Sequence, residues 1–231
     1  MTNNKPNLTQ PDLTFYFSIH QAQRDAITRY RDAVSVLTED DRRIRGKALA
    51  RWSKGMSSQL DEHHHVEDRF FFPSLRAKVP AVEAILDRLD TDHQTLDRLL
   101  AGWPAMSARL ADPRVPFQAA RAELSTFADE LHALLHAHLE VEDQDILPLF
   151  WRHYTGEEYL HLEQTAVKKG KKSGMAFVAP FTVDCFAEGP ERDAFLASVP
   201  AVLRVFHRIV RPGYDRLTAA AFGHVGSASL L

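Results

Sequence analysis

The sequence has a single cysteine, Cys185, among its 231 residues, so neither an internal disulfide framework nor a Cys-x-x-Cys zinc site can form, and a reducing compartment fits. It also lacks a large excess of positive charge, with 28 basic against 31 acidic residues, which disfavours a nucleic-acid partner. No apolar run is long enough to span a bilayer, and residues 1–11 lack the charged-then-apolar order of a secretory signal. We therefore expect a cytoplasmic protein with no nucleic-acid or membrane partner.

The remaining composition is that of an ordinary globular protein, with 45% hydrophobic and 26% charged residues. Apolar residues recur at intervals of three and four over several long segments, a pattern typical of amphipathic helices. Because short loops between long helices favour antiparallel neighbours, we predict an all-α fold, an antiparallel up-down four-helix bundle over residues 12–168. The predicted long helices cover residues 13–37, 43–75, 81–110 and 117–150, and a shorter fifth helix covers 156–167.

The end of the chain differs in character from the bundle. A basic, glycine-punctuated stretch at 168–174 is the best candidate for a linker. Beyond it we predict a smaller, mainly helical C-terminal extension over residues 175–231. Its first part, 175–188, has mixed periodicity and is compatible with an extended segment. The following pattern over 192–220 is helical, with breaks expected at Pro200 and at Pro212-Gly213.

A repeated motif carries the chemistry of the sequence. The segments HHHVEDRFFFPSL and HLEVEDQDILPLF share histidine, valine, glutamate, aspartate and proline at an offset of 75 residues. In the first copy His63 lies four residues before Glu67, and in the second His138 lies four residues before Glu142. This spacing places an imidazole and a carboxylate on one helix face, one turn apart. The proline of the first copy, Pro73, predicts a kink or a frayed helix end.

The other two long helices each carry one isolated histidine, His20 and His93. In antiparallel hairpins these histidines fall at about the same height as the two motifs, given a rise of about 1.5 Å per residue. Four histidines and two glutamates then converge at one level of the bundle. Burying them is costly unless something pairs them, and a pair of cations does so. Imidazole with carboxylate suits iron, zinc, copper or nickel, so the ligand types alone do not choose the metal.

This order of residues resembles the hemerythrin-like, or HHE cation-binding, domain over about residues 13 to 165. The resemblance implies a site of two iron ions joined by an oxo or hydroxo bridge, with Glu67 and Glu142 as bridging ligands. Some members add a seventh ligand directly after the helix-two histidine, which is His64 here. The ligand set implied by the resemblance is His20, His63, His64, Glu67, His93, His138 and Glu142.

Two positions depart from the oxygen-carrying members of that family. Where they place a second histidine one turn after the lone histidine of helix three, this chain has Asp97. They also end in His-x-x-x-x-Asp, whereas here Glu142 follows His138 at four residues and Asp143 occupies the next position. These departures argue against simple reversible carriage of oxygen, and they leave open whether His64 or Asp97 is a ligand.

We also have expectations for the residues that neighbour the candidate ligands. Asp68 and Asp143 are either acceptors that hold a ligand imidazole by its second ring nitrogen or merely exposed residues. Phe70, Phe71 and Phe72 are expected to be core residues that exclude water from the site. His65 is expected to face solvent or another helix. Four further histidines are expected to lie at the surface, behind the ligands or over the site: His132, His136, His161 and His207.

A histidine-rich dinuclear site favours certain functions. Neutral ligands leave more positive charge on the ions than carboxylates do, which favours the ferrous state and suits the binding of O2, NO or peroxide. The first interpretation is therefore a non-haem di-iron protein that binds, senses or buffers one of these molecules. The alternatives are a di-iron enzyme that dismutates hydrogen peroxide or turns over nitric oxide, and a metal-dependent regulatory protein whose residues 175–231 contact a partner.

Overall fold

The computed structural model describes residues 9–170 and 174–223, and this part of the chain is helical throughout, with no strand. The outermost residues 1–8 and 224–231 and the middle of the expected linker, 171–173, lie outside the described residues. The α-helices are α1 (Thr14–Ser35), α2 (Arg45–Val66), α3 (Phe72–Lys78), α4 (Glu83–Ala111), α5 (Phe117–Val141), α6 (Leu147–His153), α7 (Gly156–Lys169), α8 (Met175–Asp184), α9 (Pro190–Ser198) and α10 (Ala201–Phe222). None of these helices is long and apolar enough to cross a membrane.

Two pairs of helices run on without a loop, so that four long rods form the body of the molecule. A π-turn at Glu67–Phe71 joins α2 to α3, and a second π-turn at Glu142–Ile146 joins α5 to α6. We call α1, α2 with α3, α4, and α5 with α6 the four rods. Among the rods, the strongest packing is between α2 and α4, between α1 and α5, and between α4 and α5. The helical bundle is thus present, and the up-down order of the rods stays a prediction.

Two apolar clusters fill the bundle, one on each side of a polar layer. The first is built around the buried aromatic residues Tyr30, Trp52 and Trp103, and the second around Phe72 and Phe150. Every rod passes from one cluster to the other. The residues of each rod that lie between the two clusters are the histidines and glutamates of the repeated motif and the two isolated histidines, so burial of the apolar faces fixes the level of the polar layer.

The expected kink or frayed end at Pro73 takes the form of a π-turn instead. Pro73 lies in the first turn of α3, directly after the π-turn, and Pro148 occupies the matching position of α6. Proline cannot donate a backbone hydrogen bond, and its ring crowds the carbonyl four residues earlier, which is a carbonyl of the π-turn in both copies. The π-turn shifts the hydrogen-bond pattern where the proline requires it, so the rod continues.

The region after the bundle corrects two expectations. Residues 175–184 form the helix α8 rather than an extended segment. Phe177, Phe181 and Val183 are all buried because α8 packs between α2 and α10. Its apolar residues therefore do not lie on a single face, and the sequence shows no helical periodicity. The break at Pro200 is confirmed, since α9 ends at Ser198 and α10 begins at Ala201. The expected break at Pro212-Gly213 was wrong.

Helix α10 continues through Pro212 and Gly213 because packing holds the turns that follow them. Residues of α10 pack against α2 and α8, and Tyr214 and Phe222 are buried in the same apolar cluster as Trp52. The ring of Phe222 meets Trp52 edge-on, with ring centroids 5.0 Å apart. Tertiary packing therefore outweighs the local cost of a proline in the helix interior. The fifth predicted helix, α7, is confirmed, and Thr155 and Glu158 cap its start reciprocally.

Candidate metal centre

All seven residues of the sequence-predicted ligand set meet in the polar layer. His20 comes from α1, His63 and His64 from α2, and His93 from α4. His138 comes from the end of α5, and each glutamate is the first residue of a π-turn. Six of the seven are buried, and His63 is nearly so. Whether they bind a metal stays a prediction, but the structure brings every one of them to the same place.

The ligand atoms fall into two groups that share the glutamates. The first group joins His20 and His63 with both glutamates, and its ligand atoms all lie within 4.8 Å of one another. The second group joins His64, His93 and His138 at the same spacing. Glu67 and Glu142 also form a group of this kind with His93 and His138. The carboxylates therefore lie between two sets of imidazoles.

Each carboxylate offers one oxygen to each set of imidazoles. Oε1 of Glu67 lies 3.1 Å from Nε2 of His63, and its Oε2 lies 3.6 Å from Nε2 of His93. Glu142 repeats this arrangement, with Oε2 3.4 Å from Nε2 of His20 and Oε1 3.3 Å from Nε2 of His138. Two carboxylates that each face both sides can bridge two cations.

Six of the inward-facing atoms have no hydrogen-bond partner among the described residues. Nε2 of His20, of His63 and of His64 is buried without a hydrogen-bond partner, and so are Oε2 of Glu67 and both carboxylate oxygens of Glu142. Leaving so many polar atoms unpaired in an apolar bundle is costly, at about 1–3 kcal/mol for each neutral group. A pair of cations satisfies all of them at once, so the residues present fit a dinuclear metal site.

The pKa values of Glu67, His63 and His64 favour the same interpretation, whereas the Glu142 carboxylate, against the effect of burial, raises the pKa of His138 to about 10. Burial and the neighbouring Glu142 carboxylate raise the pKa of Glu67 well above its usual range. Burial, together with the nearby His20, holds the pKa of His63 well below its usual range, and burial lowers the pKa of His64 to about 4. Neutral imidazoles are the form that binds metal, and bound cations would remove the repulsion between the two carboxylates.

The two isolated histidines are oriented by aspartates of the repeated motif. Nδ1 of His20 lies 2.7 Å from Oδ1 of Asp143, and Nδ1 of His93 lies 2.7 Å from Oδ1 of Asp68. A hydrogen bond at Nδ1 leaves Nε2 free to face the centre. The acceptor interpretation of both aspartates is therefore confirmed. Arg24 in turn holds Asp143 through a 2.5 Å hydrogen bond to Oδ2.

Asp97 takes the same role for His64. Its Oδ1 lies 3.3 Å from Nδ1 of His64, so that Nε2 of this imidazole points toward His93 and His138. The ring of His64 stacks on that of His93, with centroids 4.4 Å apart. The geometry therefore favours His64 as the ligand and Asp97 as the residue that orients it.

Tyr16 belongs to the site and was not predicted from the sequence. Its hydroxyl donates a hydrogen bond to Oε1 of Glu67, and its ring meets the edge of His20 with centroids 4.7 Å apart. Burial and the nearby Glu67 raise the pKa of this phenol well above its usual range, so it stays protonated. The signal was present, because Tyr16 lies four residues before His20 and so shares its helix face.

Aromatic side chains cover the polar layer on one side, as expected. Phe71 and Phe72 are buried, whereas Phe70 is only partly buried. The ring of Phe72 lies parallel to His93, with centroids 5.5 Å apart, and Phe71 meets Tyr16 edge-on. These rings keep water from the imidazoles that they cover.

Four further histidines lie away from the centre. His132 and His136 stack on each other between α5 and α1, where Thr28 contacts both of them. His161 is exposed on α7, and His207 is partly buried on α10. None of these four belongs to a group of ligand atoms in the described part of the chain.

Comparison with known proteins agrees with this geometry. The family model described as the hemerythrin HHE cation-binding domain matches residues 14–158. That range begins at the first residue of α1 and includes all four rods and every residue of the predicted ligand set. No curated protein and no solved structure matches the chain.

Proposed function

The chain belongs to the hemerythrin HHE cation-binding domain family, and on this premise we propose that the bundle holds two iron ions and binds O2, NO or peroxide as a sensor or buffer. The observation that carries the proposal is the placement of Glu67 and Glu142, each of which offers one oxygen to each set of imidazoles. This arrangement supports two ions rather than one. Iron is the metal implied by the resemblance, and imidazole with carboxylate suits it.

The two halves of the site are not equivalent. His64 adds a third imidazole to the set that contains His93 and His138, whereas the matching position of the second motif is Leu139. The other half has only His20 and His63 besides the shared glutamates. It therefore has fewer protein ligands, and we assign the open coordination position for a small molecule to this half.

Tyr16 lies in the half with fewer ligands. Its hydroxyl is beside Oε1 of Glu67, the oxygen that faces His63. The position at the corresponding offset of 73 residues is Leu89, so the other half has no such donor. When bound, an iron pair supplies the open coordination position and the electrons that a diatomic or peroxide ligand requires. Tyr16 donates its one hydroxyl proton to Glu67 here, and it would have to turn from Glu67 to donate to a molecule bound at that position. Phe71 beside Tyr16 excludes water.

The composition of the ligand set favours binding over oxidation of a substrate. Imidazole binds metal in its neutral form, so with ions bound the five imidazoles would add no charge, and only two carboxylates would offset the charge of the ions. Such a set leaves the ions more positive than a carboxylate-rich set does, which favours their reduced state. Two ferrous ions at a buried centre from which water is excluded would bind an oxidising or π-accepting diatomic molecule.

Metal analysis joined to absorption spectroscopy tests this function. Protein purified without a histidine tag is expected to bind two iron ions per chain and to change its near-UV and visible absorption when O2, NO or peroxide is added. The variant His63→Ala is expected to lose this response, whereas His132→Ala, which alters a histidine outside the centre, is expected to retain it. Iron-loaded protein without any spectral response would refute the proposal.

Excess peroxide separates binding from turnover. If the centre only binds or buffers peroxide, the spectral change reaches its limit at stoichiometric peroxide and no oxygen is evolved. Continuous evolution of O2 from the diferric protein, lost in His63→Ala, would instead establish the enzymatic alternative at the same residues.

A further inference from the structure

Helix α10 exposes an apolar face that no other described part of the chain covers. Val202 is 73% exposed, Val205 56% and Ile209 72%. These residues are spaced three and four positions apart, so they lie in one row along the helix. The same spacing continues to Gly213 and Arg216, and it ends at Ala220. The row spans about 27 Å at 1.5 Å per residue.

The second half of this row forms one wall of a groove. The groove lies between α10 and the start of α2 and has a volume of about 450 Å³. Gly213 and Arg216 line it from α10, and Ile44, which is 61% exposed, lines it from the approach to α2. An apolar row on a helix thus leads into an open channel beside a second helix.

The groove is positively charged. Arg43, Lys47, Arg51 and Arg216 line it, all four are exposed, and none of its lining residues is acidic. None of the four forms an ion pair with another described residue, whereas the neighbouring Arg211 is paired with Asp184 and Asp215. Four unpaired cations around an apolar floor attract a group of carboxylates.

Gly213 leaves the backbone of α10 open at the groove. Without a side chain, glycine allows another group to come near the backbone. A Cβ atom built at Gly213 meets nothing within 4 Å, so packing within the described chain does not require a glycine there. An external helix lying in the groove would use this space.

We propose that the α10 row and the basic groove bind an acidic amphipathic helix of a partner protein. Apolar residues of that helix would cover Val202, Val205 and Ile209, and its acidic residues would pair with the four cations. A second copy of this chain fits less well, because pairing the same face with itself would bring the cations together. A bilayer fits less well too, because a flat surface does not fill a groove between two helices.

A designed peptide tests the proposal on the full chain. The probe is an 18-residue helical peptide with leucine on one face and glutamate beside it, labelled for fluorescence anisotropy. We expect one peptide per chain, affinity that falls as salt rises, and a loss of at least tenfold in the double variant Lys47→Glu with Arg216→Glu. A bulky side chain in Gly213→Leu is expected to weaken binding similarly. Thermal unfolding shows that the variants are folded.

Matched variants and probes make the result decisive. Arg152→Glu reverses an exposed charge on α6 and Val167→Ser removes an exposed valine on α7, and both are expected to bind the peptide as the parent does. Equal binding of a peptide with lysine in place of glutamate would overturn the proposal, as would no binding at all. Dimerisation lost in Ile209→Glu would assign the face to a second copy, and sedimentation with anionic but not neutral vesicles would assign it to a membrane.

Discussion

Nδ1 of His93 donates a hydrogen bond to Oδ1 of Asp68 across 2.7 Å, although the two residues belong to different rods of the bundle. Asp68 directly follows Glu67, so one π-turn supplies both a carboxylate that faces the two sets of imidazoles and the acceptor that orients a histidine of another rod. The orientation of His93 is thus set by the same turn that places its shared carboxylate.

Removing this acceptor is expected to weaken metal binding. In Asp68→Ala the His93 ring loses its fixed orientation, and loss of such an outer hydrogen bond costs about 10- to 100-fold in metal affinity. Competition with a chelator measures the change. Asp129→Ala, which removes an exposed aspartate of α5 outside the centre, serves as the control and should retain the parent affinity. Equal affinity in both variants would show that Asp68 does not orient a ligand.

Tyr16→Phe is expected to weaken the binding of the small molecule more than it lowers the stability of the fold. The substitution keeps the ring that packs on His20 and Phe71 and removes only the hydroxyl donor. Loss of one hydrogen bond of about 1.4 kcal/mol corresponds to about tenfold faster dissociation of the ligand. Stopped-flow absorption on the iron-loaded protein measures this rate.

Tyr30→Phe is the matched control for that experiment. Tyr30 is also buried, and its hydroxyl bonds to Ser107 within the first apolar cluster rather than at the centre. Tyr30→Phe should therefore lower thermal stability without changing the ligand dissociation rate. If both tyrosine variants leave that rate unchanged, Tyr16 does not contact the ligand.

Iron is expected to stabilise the fold. Metal satisfies the unpaired inward atoms of His20, His63 and Glu142 only in the folded chain. Free metal at 100 times its dissociation constant adds about 2.7 kcal/mol, which raises the Tm of a chain of this size by about 5–10 °C. Calorimetry with and without iron measures the shift. His63→Ala should show a much smaller increase, and an equal increase would place the stabilising metal elsewhere.

Glu163 on α7 is expected to make stability depend on pH. Burial, with a contribution from Asp12, raises its pKa to about 7, above the ordinary value of 4.5. The folded chain therefore holds this proton more tightly than the unfolded chain, so its stabilising contribution is complete below pH 4.5 and is lost as pH rises to about 7. Glu163→Gln should remove this loss and be more stable at pH 8 by about 2 kcal/mol, allowing for partial solvent screening.

The control for Glu163 lies on the same helix. Glu157 is exposed on α7, so Glu157→Gln should follow the parent protein between pH 4.5 and pH 8. Urea unfolding at fixed metal content measures all three proteins. A parallel pH dependence in Glu163→Gln and the parent would contradict the raised pKa.

The sequence was sufficient to predict the helical bundle and the convergence of the seven candidate ligands, because both depend on spacing. Helical periodicity located the four rods, and the offset of 75 residues between His63 and His138 marked the two motifs. Tyr16 was missed because one tyrosine on an apolar helix face is indistinguishable from a core residue until Glu67 is placed beside it. The helix α8 and the continuity of α10 through Pro212 were missed because packing against α2, which is remote in sequence, decides both.

Each isolated histidine is oriented by an aspartate of a different rod, which bears on whether a centre of this kind could be assembled from two separate chains. Asp68 serves His93, and Asp143 serves His20, so each half of the chain completes the other half's isolated histidine. Two identical hairpins related by a twofold axis would satisfy that exchange equally well. In such a symmetric pair, however, every feature would occur twice. A single continuous polypeptide can instead place His64 in one half of the site and Tyr16 in the other, so that two bound ions would have different surroundings.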